Sequence, residues 1–304
     1  MTDLHRIIVG YDGSDFSMQA LDWAMDECEL RELPLTVTHA WRWPYGKAPE
    51  EARLHLRKAA EHVLHHGADC ARSCSTITDI TADLFEGSAG ERLVELSASA
   101  DLVVIGSRGL GAVARSVVGS VTAYVAAHAH APVIIVRGAG PIPVPADPGP
   151  VVLGLSPATP DEALEFAFGE AALRRLPLVV THAVHLQAMA WGTAMAPVPD
   201  VESLIRAGQE GMRERLTPWC ERYPEVQADP RAVVATAKEA LRAASADASL
   251  VVVGAARARH RSGHLGTVVR AMVESAACPV AVVPVPAVRP QEEVDDRTSS
   301  APEG

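Results

Sequence analysis

Leu33-Pro34-Leu35-Thr36-Val37-Thr38-His39-Ala40 returns, with one change, as Leu176-Pro177-Leu178-Val179-Val180-Thr181-His182-Ala183. Three more stretches repeat around it in the same order. Ile7-Ile8-Val9-Gly10 matches Val151-Val152-Leu153-Gly154, and Asp101-Leu102-Val103-Val104-Ile105-Gly106 matches Ser249-Leu250-Val251-Val252-Val253-Gly254. Ala131-Pro132-Val133-Ile134-Ile135-Val136 matches Cys278-Pro279-Val280-Ala281-Val282-Val283. Four collinear matches at a nearly constant offset mark the duplication of a whole domain, because the repeats of solenoids recur every ~20–50 residues. The length of 304 residues agrees with two domains, at roughly 100–200 residues each. Each half alternates short Val-rich runs with helical patterns. That order predicts an α/β fold with a parallel sheet and right-handed crossovers. A continuously apolar run such as 102–105 reads as a central strand, buried on both faces.

The repeat also sets the expected boundaries: a first domain over 1–138, a second over 151–285, and between them a Pro/Gly-rich linker over 139–150. From 286 to 304 prolines alternate with polar and acidic residues, which predicts a disordered tail. Aromatics make up only 4% of the chain, so the core must come from Ala, Val, Leu and Ile. A net charge of −11 argues against nucleic acid or an anionic membrane as the main partner. Five cysteines without a CxxC, no signal-like start and no run of eighteen apolar residues predict a reduced, cytoplasmic protein.

Ligands of open parallel sheets sit at the carboxyl ends of the strands, where the winding reverses. Two such ends stand out in the first half. One is Gly10-Tyr11-Asp12-Gly13-Ser14; the other is Gly106-Ser107-Arg108-Gly109-Leu110-Gly111, running on to Gly119-Ser120 before a helix. Glycines let backbone approach phosphate oxygens without a Cβ in the way, and a helix N-terminus favours anions. The Ser120 hydroxyl adds a donor, and Asp12 is placed for a ribose hydroxyl or for Mg²⁺. No Gly-Lys-Ser/Thr follows, so this is not a Walker loop, and the glycines follow the fourth strand, not the first as in a Rossmann fingerprint.

The spacing Gly106-x2-Gly109-x9-Gly119-Ser120, between a Val-rich strand and a helix, resembles the nucleotide-binding pattern of the universal stress protein family. The lead-in from Ala100 to Gly106, the Gly119-Ser120-Val121-Thr122 sequence and the close from His128 to Val136 resemble it too. The likeness covers about 4–137 well and 150–285 more loosely, as in a tandem member. It implies two doubly wound five-stranded sheets of order 3-2-1-4-5, related by a pseudo-twofold at which strand-five edges meet antiparallel. It implies ATP surrounded by Asp12, His39, Ala40, Gly106, Arg108, Gly109, Gly119, Ser120 and Val121, with Mg²⁺ held through Asp12. Apolar strand-five edges invite pairing between the halves or between chains, hence an expected homodimer. The expected role is a regulatory, ATP-binding stress-response module, at most a slow ATPase, because no general base is evident. Two alternatives remain: a Mg-dependent hydrolase or nucleotidyl-type enzyme working through Asp12, and a nucleotide-free dimeric interaction scaffold.

The second half departs from the pattern. Its loop keeps Gly254 and Gly266-Thr267, candidate contacts for a nucleotide or other anion, but Arg257 replaces the middle glycine and Ser156 replaces the carboxylate. Arg257, Arg259, His260, Arg261 and His264 make it basic, so charge could substitute for geometry; loss or weakening of ATP binding is the expectation. His62, His66, Cys70 and Cys74 fall four apart on a predicted helix over 50–67 that Gly67 would interrupt; a surface face of His and Cys is the simpler reading than a metal site. The recurrence of His39 and His182 after the second strand of each half points to a structural bond to a neighbouring loop carbonyl. Trp41, Trp43 and Tyr45 could shield an adenine, cover a domain interface or form a plain aromatic patch.

Overall fold

In the first half, the strands are β1 (Ile7–Gly10), β2 (Leu35–Trp41), β3 (Ile80–Glu86), β4 (Leu102–Gly106) and β5 (Val133–Val136). The helices between them are α1 (Asp15–Arg31), α2 (Glu50–Cys74), α3 (Ala89–Ser97) and α4 (Ser120–His128). The second half repeats the plan with β6 (Val151–Gly154), α5 (Asp161–Arg174), β7 (Leu178–Val184), α6 (Val201–Arg222), β8 (Ala228–Val234), α7 (Ala237–Ala244), β9 (Leu250–Ala255), α8 (Thr267–Ser275) and β10 (Val280–Pro284). This computed structural model describes residues 5–43, 46, 50–109, 118–137, 148–184, 200–255 and 265–285. The sequence-predicted linker, tail and basic loop fall largely or wholly outside these residues, as do 110–117 of the glycine loop.

All strands join one ten-stranded sheet of order β3-β2-β1-β4-β5-β10-β9-β6-β7-β8. Within each half every pairing is parallel, in the expected 3-2-1-4-5 order. The central strands are buried on both faces because they are apolar at every position; β4 and β5 are buried throughout. Alternate residues feed two layers. Ile7, Val9, Val104 and Ile134 pack under α1 and α2, while Ile8, Val103, Ile105 and Ile135 pack under α3 and α4.

The halves join through the antiparallel pair β5–β10, with Ile134 opposite Ala281. Of the two pairings the strand-five edges invited, between halves or between chains, the one between halves is formed. β5 already has β4 on one side and β10 on the other, so the edge is consumed within one chain.

Over that junction α1 meets α5 in a ring of four charges that the sequence reading missed. Arg31 bonds Glu27 at 2.9 Å and reaches Glu170 of the other half; Arg174 bonds Glu170 at 3.0 Å and reaches Glu27. Both glutamates are fully buried. Burial, then the Glu27 charge, push the Glu170 carboxyl above its ordinary range. Burial alone would lower the two arginine pKa values, but the adjoining carboxylates outweigh it and raise them. Trp23 Nε1 donates to Glu27 at 3.1 Å and the Arg174 guanidinium lies 4.4 Å over the Trp23 ring, so the ring of charges is packed as well as paired.

One local expectation changes. α2 runs through Gly67 to Cys74 without interruption. A Cβ at Gly67 would stand 2.7 Å from the Tyr11 ring, so glycine is there to admit that ring, not to break the helix. β3 runs from Ile80 to Glu86. Ser88 occupies the N-cap position of α3 in extended conformation, but its side chain makes no capping bond; Ser14 does cap α1, accepting from Ser17 N at 3.3 Å.

Candidate functional site

The site is built where the winding reverses, between the ends of β1 and β4. Asp12 leaves the end of β1 in a tight turn: its Oδ1 accepts from Ser14 N at 3.0 Å and from Ser14 Oγ at 2.6 Å. These two donors fix the carboxylate before any ligand arrives. Gly109, beyond β4, comes so close that a Cβ there would collide with Asp12 Oδ2. The structure therefore brings these two predicted residues together, and glycine lets the carboxylate keep this position.

Other predicted residues have explanations within the fold. A Cβ at Gly106 would meet the Phe16 carbonyl at 2.7 Å, so glycine lets α1 settle on β4. Gly254 does the same for Pro160 at the start of α5. His39 Nδ1 bonds the Tyr11 carbonyl at 2.8 Å, and His182 Nδ1 bonds the Leu155 carbonyl at 3.0 Å. The recurring histidine is thus a strut holding the strand-end loop in both halves, as its recurrence suggested. Ala40 is half-buried opposite Phe85 of β3. Trp41 is buried within the sheet's end, Trp43 follows it, and Tyr45 lies outside the described residues. Arg108 places its guanidinium 5.4 Å over the Phe16 ring.

Gly119 differs from these. It is the N-cap of α4 in ordinary extended conformation (φ −61°, ψ 146°), and no side chain caps the helix. A Cβ there would find only normal contacts, the nearest at 3.5 Å. Among the described residues, neither backbone conformation nor packing requires glycine here. Thr122 Oγ1 donates to the Gly106 carbonyl at 2.9 Å and Gly119 N to the Ser107 carbonyl at 3.1 Å, which moors the helix start beside β4. Ser120 and Val121, at that N-terminus, are exposed. The second half keeps the arrangement: Gly266 caps α8 at φ −56°, a Cβ there would meet nothing among the described residues within 4 Å, and Thr267 begins the helix.

One network escaped the sequence reading. Thr38 donates to Asp83 Oδ2 at 2.6 Å, and Arg92 clasps the same carboxylate with two bonds of 3.0 and 2.7 Å. Burial pushes the Asp83 carboxyl up, but the bonds from Arg92 and Thr38 outweigh it and hold it below the usual carboxylate range. At the corresponding register of the second half Thr181 faces Arg231, which pairs with Asp229 instead. Among the described residues no three His, Cys, Asp or Glu converge as a metal centre. No described helix is long and apolar enough to cross a membrane.

A doubly wound sheet with a glycine-rich strand end, duplicated about a pseudo-twofold, defines the class. The chain belongs to the universal stress protein family, whose family model matches residues 4–137 and again 150–284, so it is a tandem member with two such domains. It is 31% identical over 309 aligned residues to a universal stress protein of Mycobacterium tuberculosis strain H37Rv, covering 92% of this chain and 95% of that one. A universal stress protein of Mycolicibacterium smegmatis is 32% identical over 297 residues, covering 92% and 97%. The crystal structure of a universal stress protein from Archaeoglobus fulgidus superposes with a TM-score of 0.67 at 16% identity, covering 92% of this chain and 98% of that one, a likeness of fold.

Proposed function

We propose that the first half binds ATP at the carboxyl ends of β1, β2 and β4, and that occupancy regulates the protein in a stress response and does not feed rapid turnover. In this reading residues 1–138 form the nucleotide-binding domain, 139–150 a linker, 151–285 an altered copy and 286–304 a tail, in a cytoplasmic protein. The observation that carries it is the glycine cap of α4: a glycine that, among the described residues, neither φ nor packing demands, at a helix N-terminus with no side-chain cap there, beside a fixed carboxylate. Free N–H groups and the helix dipole make such an end receptive to phosphate. Gly109, Gly119, Ser120 and Val121 would hold the phosphates. Asp12 would take a ribose hydroxyl or Mg²⁺, which would neutralise phosphate charge when bound. His39 keeps the Asp12 loop in place through the Tyr11 carbonyl.

The test is thermal denaturation of the full chain with and without ATP and Mg²⁺, together with assay of nucleotide released on denaturing the purified protein. ATP at a hundred times its Kd stabilises a native state by about 2.7 kcal/mol. Absence of both a shift in Tm and released nucleotide sinks the proposal. Gly119→Trp should abolish the shift; if the shift persists, the site is elsewhere.

A further inference from the structure

α2 carries two thiols on one face. Cys70 Sγ and Cys74 Sγ stand 4.0 Å apart in the last turn of the helix, Cys70 half-buried and Cys74 exposed. The gap does not suit a disulfide. That bond needs Cβ atoms within about 3.5–4.5 Å, whereas residues four apart on a helix keep theirs about 5–6 Å apart. Closing it would unwind the helix end. A bridging atom asks for less: a linear S–metal–S unit with bonds of up to about 2.3 Å sets its sulfurs up to ~4.6 Å apart, so from 4.0 Å the exposed Cys74 thiol has only to swing outward by a few tenths of an ångström.

The ligand count selects the ion. No third His, Cys, Asp or Glu joins the pair among the described residues. His66, one turn earlier, turns its Nδ1 to the Tyr11 hydroxyl at 2.8 Å. Structural zinc asks for four protein ligands. A soft univalent ion is satisfied by two thiolates. We propose that Cys70 and Cys74 form a two-thiolate clip for a thiophilic metal ion of the copper(I) class, on α2 and apart from the strand-end site. It does not rest on the nucleotide reading.

Binding converts two thiols and Cu⁺ into an anionic bis-thiolate complex and releases two protons; copper keeps its oxidation state. Because both thiols must give up their protons, affinity should climb with pH. The other cysteines offer no such pair. Burial pushes Cys28 and Cys278 up to about 12, and Cys220 sits on α6 of the other half.

The reduced full-length chain, under nitrogen, is titrated with copper(I) against a chromophoric copper(I) chelator. Wild type should withdraw one equivalent. Cys70→Ser and Cys74→Ser should each weaken that capture at least tenfold, and Cys220→Ser should leave it unchanged. Cys74 is exposed at a helix end, so its variant should keep the wild-type circular dichroism spectrum and give a clean comparison. No capture by wild type, or equal capture by Cys74→Ser, overturns the proposal.

Discussion

At the end of β1, Asp12 grips Ser14 through its carboxylate, while at the same place in the second half the Ser156 and Thr159 hydroxyls bond each other at 3.2 Å. Across from them the sequence has Gly109 in one copy and Arg257 in the other. The two differences are physically linked. A side chain at Gly109 would meet Asp12 Oδ2, so the carboxylate would have to turn from its present place beside Ser14 to admit one. The retained positions teach the opposite lesson. Gly106 and Gly254 are kept for helix packing, and His39 and His182 for bracing a loop carbonyl. Residues common to both copies mostly build the frame, and those that changed together are where the proposed nucleotide site predicts a difference between the copies.

The largest expected effect tests the frame. The Glu27–Arg31–Glu170–Arg174 ring treats the halves alike, each contributing one acid and one base. Removing one member leaves a buried charge without a partner, which costs about 3–5 kcal/mol. Arg31→Ala and Arg174→Ala should therefore lower the urea midpoint by similar amounts. A loss in only one of them would mean that the halves are not equivalent at their junction.

Transplanting the divergent pair comes next. Asp12→Ser with Gly109→Arg gives the first half the second half's chemistry and should remove the ATP-induced stabilisation, about 2.7 kcal/mol at a hundredfold excess over Kd. Asp12→Ser alone should lose less, because the phosphate loop keeps its glycine. If the double variant retains the full shift in Tm, the divergence between copies has nothing to do with nucleotide.

A third difference is readable through pH. The Thr38–Asp83–Arg92 cluster exists in the first half alone among the described residues. Asp83 has a folded pKa below its unfolded value, so its contribution is fully present above about pH 4 and is lost as pH falls through the lower folded pKa. Asp83→Asn should cost about 1.5 kcal/mol at pH 7, a charged hydrogen-bonded pair being replaced by a neutral one. That deficit should shrink progressively in denaturation curves recorded at falling pH below about 4. A deficit independent of pH would show that lost packing, not charge, is responsible.

What could be read beforehand follows from how local each signal is. The sheet was legible because its strands are continuous apolar runs that occur twice, and a duplicated run of Leu-Pro-Leu fixes register between copies. The ring of charges left a trace too: Glu27 and Glu170 stand four residues before Arg31 and Arg174, at the same offset from that run. Ordinarily such spacing means an exposed helix pair, and only the docking of α1 on α5 buries it. The Asp83–Arg92 clasp joins an edge strand to the helix behind it and leaves no periodic pattern. Gly67 misled because glycine in a helix usually marks weakness, whereas here a ring from another element needs the space.

The smallest effect separates ligand from frame at the one retained glycine that the fold does not explain. Serine is a somewhat better N-cap than glycine, by a few tenths of a kcal/mol. Gly119→Ser and Gly266→Ser place that serine at corresponding helix starts, each in ordinary extended conformation with room for a Cβ. Both should raise the ligand-free Tm slightly, because the hydroxyl satisfies an N–H that glycine leaves open. The same hydroxyl then occupies the end where phosphate would bind. Gly119→Ser should therefore weaken ATP stabilisation while it strengthens the free protein, and Gly266→Ser should only strengthen. Equal behaviour of the two variants in the presence of ATP would mean that the glycine caps are relics of the duplication and that the first half has no special claim on the nucleotide.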